Sequence, residues 1–191
     1  MADTPTREAV LPRIRGRFGH EYDFVRRTRS TQRLLAATAP EGAVALADEQ
    51  TEGRGRLGRE WHAPAGTCVL CSIQLRPPVS PQRYPELTVL GAEGCIDAIR
   101  ALTGLEAEVK HPNDVLIAGR KVAGVLGEAS DDRVVLGIGI NVNIPPEQLP
   151  TDVRMPATSL LAELGREVDR RDLIAELLAA LERRYDDWLA G

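Results

Sequence analysis

The 191-residue sequence is poor in several features, and each shortage excludes a class of protein. Aromatic residues make up only 4% of the chain, so leucine, valine, isoleucine and alanine must build the core. No run of 18 apolar residues occurs, and the N-terminus lacks the apolar segment of a signal peptide, so we expect neither a membrane span nor secretion. Three cysteines favour reduced thiols over a disulfide framework, which predicts a cytoplasmic protein.

The chain also lacks an excess of positive charge. It has 24 lysines and arginines against 28 acidic residues, for a net charge of −4, which argues against a nucleic-acid partner. The composition is that of a folded globule, at 43% hydrophobic and 27% charged residues. We predict one domain over residues 1–191, with an N-terminal arm over 1–20 and C-terminal helices over 159–191.

Cations are concentrated in one stretch, from Gln50 to Trp61. Three glycines and three arginines interleave between Gly53 and Arg59. Glycine lets a ligand approach the backbone closely, and arginine offers a planar fork of donors that fits a carboxylate or phosphate. The stretch therefore predicts an anion-binding loop, with an exposed surface loop as the plainer alternative.

The same glycines match G-x-G-x-x-G, the dinucleotide-binding fingerprint. That motif needs a helix at its last glycine, whereas Pro64 and Gly66 follow here, so we reject this interpretation.

Hydrophobic patterning predicts strands separated by hairpins, with helices set apart from them. The predicted strands are 22–26, 43–47, 67–75, 106–110, 115–117, 121–128 and 134–143. The predicted helices are 32–39, 85–102, a short one ending at Leu164 and capped by Thr158 or Ser159, and 171–189. This arrangement predicts an α+β fold, a mixed and largely antiparallel sheet with helices packed on it.

Cys68 and Cys71 form a C-x-x-C pair that could suggest zinc. Residues three apart on a strand point to opposite faces, and no second pair follows, so we expect buried thiols instead.

Two further positions bear on chemistry. Ser30 precedes a helix-forming run, where it could be a simple cap or could hold a polar ligand, and the local sequence leaves both open. Lys121 lies among small and apolar residues, so its ammonium should be partly desolvated and should require an anion. Together with Arg54, Arg56 and Arg59 it could bind two anions at once, as phosphoryl or nucleotidyl transfer requires.

These stretches resemble the signatures of the biotin protein ligases. The loop Gly53–Arg59, the segment Lys110–Val115 followed by Lys121–Gly124, the segment Gly137–Val142 and the pair Ser30–Thr31 occur in that family's order and spacing. The resemblance covers about residues 22–145. It implies the class II synthetase-like catalytic fold, with ATP and biotin as substrates and Mg²⁺ as the metal.

The resemblance also implies roles for individual residues. Lys121, Arg54 and Arg56 would be catalytic. The biotin site would contain Ser30, Thr31, Gln32, Gln50, Gly53, Arg54, Gly55, Arg56, Lys121, Gly124 and Gly137. The ATP site would contain Arg56, Arg59, Trp61, Asn113, Asp114 and Asn141.

The implied reaction has two steps. Biotin and ATP would form biotinyl-5′-AMP, and a lysine of a biotin carboxyl carrier protein domain would then take the biotinyl group. We expect no nucleic-acid or membrane partner; a homodimer is one possible assembly, and the sequence leaves the oligomeric state open. The alternatives are a lipoate or octanoate ligase, which shares the fold, and a non-catalytic binder of biotin or nucleotide.

Three departures from the family pattern accompany the resemblance. His111 stands where the family usually has tryptophan, no DNA-binding helix-turn-helix precedes the catalytic region, and the usual small β-barrel does not follow it.

Overall fold

One sheet organises the part of the chain described by the computed structural model, residues 3–151 and 155–191. Its seven strands lie in the order β1-β2-β3-β7-β6-β5-β4. The strands are β1 (Tyr22–Thr28), β2 (Val44–Gln50), β3 (Cys68–Leu75), β4 (Glu108–Lys110), β5 (Asp114–Ile117), β6 (Arg120–Ser130) and β7 (Arg133–Asn141). Strands β1 and β2 are parallel and the other neighbours antiparallel, which confirms the predicted α+β class.

Helices cover one face of this sheet. They are α1 (Arg7–Val10), α2 (Glu86–Thr103), α3 (Leu160–Leu164) and α4 (Arg170–Ala190). The long helices α2 and α4 pack closely because Gly94 has no side chain: a Cβ there would lie 2.6 Å from Leu181 Cδ2. Their apolar faces bury Leu87, Ile99 and Leu177 completely.

Successive side chains of β3 and β7 point to opposite faces of the sheet, one facing the helical core and the other facing away from it. Val69, Cys71 and Ile73 of β3 pack with the helices in the main core. The intervening residues of β3 face the other way, where Ser72 lies opposite Gly137 and Leu70 opposite Gly139. The face away from the helices therefore carries small and polar side chains on its central strands.

The predicted helix over 32–39 was wrong. Only a 3₁₀ turn forms, at Thr31–Arg33. Leu35 and Ala39 instead pack against Ala43, Ala45 and Val135 in a small cluster on the second face of the sheet. A run of eight residues gains little from helix propensity alone, and this burial requires an irregular path.

The N-terminal segment predicted as an arm packs on the domain and contains the short helix α1. Val10 and Phe18 of this segment are buried in the main core. Tyr22 donates its hydroxyl hydrogen to Pro5 O at 2.7 Å, which fastens the segment to β1. The first two residues of the predicted arm lie outside the described residues.

Side chains cap the two C-terminal helices, and Ser159 is one of the two residues predicted to cap the first of them. Ser159 caps α3 by accepting a hydrogen bond from Ala162 N, and Asp169 caps α4 by accepting one from Arg171 N. None of the described helices is both long and apolar enough to cross a membrane.

Candidate active site

A cavity of about 760 Å³ opens on the sheet face away from the helices. Its wall brings together residues from the Gly/Arg loop, from the turn between β4 and β5, and from β6 and β7. The predicted site residues on this wall are Ser30, Thr31, Gln32, Gln50, Arg54, Gly55, Arg56, Arg59, Trp61, Asn113, Asp114, Lys121, Gly124, Gly137 and Asn141. Gly53 is not on this wall and lines a neighbouring pocket of about 540 Å³.

Gly53 is held there by packing. A Cβ at Gly53 would lie 2.5 Å from Trp61 O, and the Trp61 amide donates to Gly53 O at 2.9 Å. The structure thus gives this glycine a contact with the backbone of the loop and no place on the main cavity wall.

One end of the cavity is lined by buried hydroxyl and amide groups. Thr31 donates to Gln50 Oε1 from its backbone amide at 2.8 Å and contacts the same oxygen through Oγ1 at 3.1 Å. Because a backbone amide can only donate, Gln50 must turn its oxygen toward Thr31, which leaves its NH₂ group for other partners. Ser30 is buried and its side chain does not cap the 3₁₀ turn. This end therefore offers hydrogen-bonding groups to a polar ligand.

Ser72 contacts Thr31 at this end of the cavity and orients its hydroxyl. It is fully buried on β3, and its Oγ lies 2.7 Å from Thr31 Oγ1. Sequence reasoning missed Ser72, because a single serine within an apolar strand has no distinctive pattern.

Glycines of β6 and β7 form the floor of the cavity, and the side chains of Trp61 and Gln32 pack directly on them. Gly124 and Gly139 are direct partners across β6 and β7. The Trp61 indole rests on both: a Cβ at Gly139 would lie 2.6 Å from its Cε2, and one at Gly124 would lie 3.1 Å from its Cζ3. Gln32 lies similarly on Gly137 and donates to Leu126 O at 3.2 Å. These glycines make a flat slot, which Trp61 fills in this structure, with its buried Nε1 lacking a hydrogen-bond acceptor among the described residues.

Lys121 provides a partly desolvated cation beside this slot. Its Nζ lies 2.6 Å from Asp114 Oδ1 and 5.4 Å from the centroid of the Trp61 ring. Its side chain is 23% exposed and that of Asp114 is 10% exposed. The predicted burial of the ammonium and its need for an anion are thus both met, with Asp114 as the anion.

The Gly/Arg loop folds back on itself above the cavity. Gly55 N donates to Arg59 O at 2.7 Å, and Arg54 pairs with Glu60 in a short antiparallel bridge. Arg56 reaches across to the turn between β4 and β5, where Nη1 donates to Asn113 Oδ1 at 3.2 Å. Arg56 therefore connects the two sides of the cavity.

The other two arginines of the loop make different contacts. Arg54 forms an ion pair with Glu128 of β6 at 3.0 Å. Arg59 donates to Arg56 O at 3.0 Å and makes no ion pair among the described residues.

Asn113 and Asn141, which were predicted to bind the nucleotide, are both buried. Each side-chain amide donates a hydrogen bond to a backbone carbonyl of the cavity wall or of the segment beside it. Asn113 Nδ2 donates to Val125 O at 3.2 Å, and Asn141 Nδ2 donates to Thr158 O at 2.9 Å. Thr158 N in turn donates to Lys121 O at 2.9 Å. The segment around Thr158 thus fixes both Lys121 and Asn141.

Other wall residues were not assigned from the sequence, and four of them carry polar or sulfur-containing side chains that merit mention. They are Lys110, His111, His62 and Met155. His111 and Lys110 belong to the resembled second signature, which could have indicated them; for Met155 we find no sequence signal.

The cysteines behave as buried thiols. All three are buried, and burial raises the pKa of Cys68 to about 11 and of Cys71 to about 12. Cys68 and Cys71 belong to different apolar clusters, as residues three apart on a strand should. No group of three or more His, Cys, Asp or Glu side chains in residues 3–151 and 155–191 is placed to hold a metal ion.

Comparisons with known proteins agree with this geometry. Residues 24–144 match the biotin/lipoate A/B protein ligase family. The bifunctional ligase/repressor BirA of Bacillus subtilis is 37% identical over 99% of this chain and 60% of its own length. The biotin–[acetyl-CoA-carboxylase] ligase of Mycobacterium tuberculosis is 38% identical over 88% of this chain and 65% of its own length. The chain thus spans roughly three fifths of these relatives.

A solved structure shares the fold. The biotin protein ligase from Aquifex aeolicus in complex with biotin and ATP superposes with a TM-score of 0.77 at 32% identity, covering 90% of this chain and 73% of that one. From the family match and this shared fold, we conclude that the chain belongs to the biotin/lipoate A/B protein ligase family.

Proposed function

We propose that this chain activates biotin with ATP to biotinyl-5′-AMP and transfers the biotinyl group to a lysine of a biotin carboxyl carrier protein domain. One observation carries the proposal: a single cavity places hydrogen-bonding groups at one end and a partly desolvated lysine with a loop of arginines at the other. A polar ring system with a carboxylate tail fits the first end, and a nucleotide phosphate fits the second.

In the first step, a biotin carboxylate oxygen attacks the α-phosphorus of ATP and pyrophosphate leaves. Both reactants are anionic, so their approach requires neutralisation. Lys121 supplies a compact positive charge to the carboxylate and the transferring phosphate, and Arg56 supplies a second charge from the loop. Ser30, Thr31 and Gln50 hold the polar rings, and Gln32 and Gly137 bound that end of the cavity.

In the second step, the lysine amine of the carrier attacks the acyl carbon of the mixed anhydride, AMP leaves, and the amine loses a proton. Arg54, Arg56 and Gly55 keep the loop over the adenylate until the carrier arrives. Closure of this kind excludes water, which would otherwise hydrolyse the anhydride.

The nucleotide binds on the side of Arg59, Trp61, Asn113, Asp114 and Asn141 in this proposal. Mg²⁺ would accompany ATP, and the Asp114 carboxylate is the kind of oxygen ligand that Mg²⁺ takes beside substrate phosphates. The single domain over residues 1–191 and a homodimer remain predictions.

A lipoate or octanoate ligase is the main alternative, because the matched family contains both branches. The three arginines of the loop and the biotin ligases among the relatives favour biotin. A non-catalytic binder is disfavoured by the Lys121–Asp114 pair, since simple binding does not need a cation beside the reacting carboxylate.

ATP–pyrophosphate exchange by the purified chain tests the proposal, with biotin, lipoate and octanoate supplied separately. We expect exchange with biotin alone. Exchange with lipoate or octanoate would move the chain to the other branch of the family, and biotin binding without exchange would support the binder.

A further inference from the structure

The chain has two lysines against 22 arginines, and both lysines line the same cavity. Exposed arginines elsewhere meet the general need for surface cations. Lysine differs from arginine in being a compact, strongly hydrated point charge with three rotatable donors. The placement of Lys110 and Lys121 therefore suggests that this cavity needs an ammonium at both positions.

Lys110 and Lys121 both lie next to Asp114, one through strand pairing and the other through an ion pair. Lys110 ends β4 and lies directly opposite Asp114 of β5, whose Oδ1 is 2.6 Å from Lys121 Nζ. Lys121 is mostly buried and ion-paired. Lys110 is exposed, and its ammonium has no ion pair or hydrogen bond in the part of the chain that the structure describes.

The charges on the wall leave room for a polyanion. Arg54 is paired with Glu128 and Lys121 with Asp114, which leaves Arg56, Arg59 and Lys110 without a carboxylate partner among the described residues. A whole chain of net charge −4 thus presents unneutralised cations in one place. One phosphate and one carboxylate would not use all of them.

We propose that Lys110 binds the β- and γ-phosphates of ATP and the pyrophosphate that leaves, while the deeper Lys121 serves the reacting carboxylate and α-phosphate. This inference rests on the proposed function. In the step, the carboxylate oxygen–phosphorus bond forms, the bond from the α-phosphorus to the bridging oxygen breaks, and its electron pair goes to pyrophosphate. Lys110 stays protonated and stabilises that charge. Its exposure suits a group that must release its ligand to solvent.

The test separates the two half-reactions in the Lys110→Gln variant. We expect the KM for ATP and for pyrophosphate in the exchange reaction to rise about tenfold or more, the scale for losing a hydrogen bond to a charged group. The KM for biotin should not change. Transfer from synthetic biotinyl-5′-AMP to the carrier domain should keep its rate, because the adenylate has no β- or γ-phosphate.

Arg100→Gln is the matched control, since Arg100 is an exposed cation that pairs with Glu106 at the end of α2. It should leave both half-reactions unchanged. Unaltered exchange kinetics in Lys110→Gln would overturn the inference, and so would an equal loss in both half-reactions, which would indicate a structural role. No exchange by the unaltered chain would instead overturn the proposed function, and this inference with it.

Discussion

The Lys121 ammonium has a partner before any ligand arrives. Asp114 holds it 2.6 Å away in a mostly buried pair, and the cation also lies over the Trp61 ring. Removing one member of such a pair leaves the other charge poorly compensated. The pair therefore keeps the ammonium in the cavity, available to an incoming carboxylate and phosphate.

Lys121→Ala should slow adenylate formation about a hundredfold or more, the usual scale for removing one stabiliser of developing charge. Single-turnover formation of biotinyl-5′-AMP measures this directly. Arg100→Ala, which removes an exposed cation at the end of α2 paired with Glu106, is the control and should keep the normal rate. Near-normal adenylation in Lys121→Ala would refute the assignment.

Ser72→Ala should raise the KM for biotin about fivefold without changing the KM for ATP. The substitution removes one hydrogen bond of ordinary strength from Thr31 Oγ1, which then orients less well toward Gln50 and the ligand. Exchange kinetics with each substrate varied in turn provide the measurement. Ser130→Ala, an exposed serine at the end of β6, should be neutral, and a parallel rise in both KM values would mean that Ser72 is only structural.

The Gly/Arg loop works as a unit because its backbone is bonded to itself and one side chain crosses the cavity. Gly55 and Arg59 pair through their backbones, and Arg56 reaches Asn113 on the far side. Leu57 at the tip is 88% exposed and has a positive φ of 61°, a region that disfavours residues other than glycine. Such a loop makes few contacts with the rest of the domain, so the hydrogen bond from Arg56 to Asn113 contributes strongly to holding the loop over the cavity.

Arg56→Ala should therefore speed the escape of biotinyl-5′-AMP into solution. The rate at which newly formed adenylate appears in a filtrate separated from the protein gives the readout. Leu57→Ala changes the same loop without touching the cavity wall and should leave the rate unchanged. If Arg56→Ala released the adenylate no faster than the unaltered chain, the proposed closure by Arg56 would have to be abandoned.

Local sequence predicted the loop and most elements, but not the contacts between them. Interleaved glycine and arginine indicate an anion site wherever the loop lies. The segment 32–39 has helix-forming residues, yet Leu35 is taken into a cluster with distant Val135, which no local propensity encodes. Ser72 acts only because β3 brings it behind Thr31, and the slot under Trp61 depends on the register that pairs Gly124 with Gly139.

Distant parts of the described chain meet at a buried arginine. Arg170 of α4 is fully buried and pairs with Asp3 at 2.9 Å and with Asp48 of β2 at 2.8 Å. Burial opposes its charge, but the two carboxylates more than offset this and raise the pKa of Arg170 above its ordinary value. The N-terminal segment, the sheet and the last helix are thus fastened together, two residues along β2 from Gln50 of the site.

Arg170→Leu should lower the free energy of unfolding by roughly 3 kcal/mol, because it leaves two carboxylates near the core without their cation. Urea denaturation at neutral pH provides the measurement. Arg100→Leu removes an exposed ion pair and should cost less than about 1 kcal/mol. A loss in Arg170→Leu no greater than in this control would mean that the buried network contributes little to stability.

Both lysines lie in the cavity, and this has a chemical consequence if the chain makes an amine-reactive acyl adenylate. Every other cationic side chain of the 24 is an arginine, whose guanidinium stays protonated and does not attack an anhydride. An adenylate that leaves the cavity would therefore meet no lysine elsewhere in these 191 residues. The composition of this chain would thus confine lysine acylation to the cavity, and a biotinyl group found on one of its lysines would mark a reaction there.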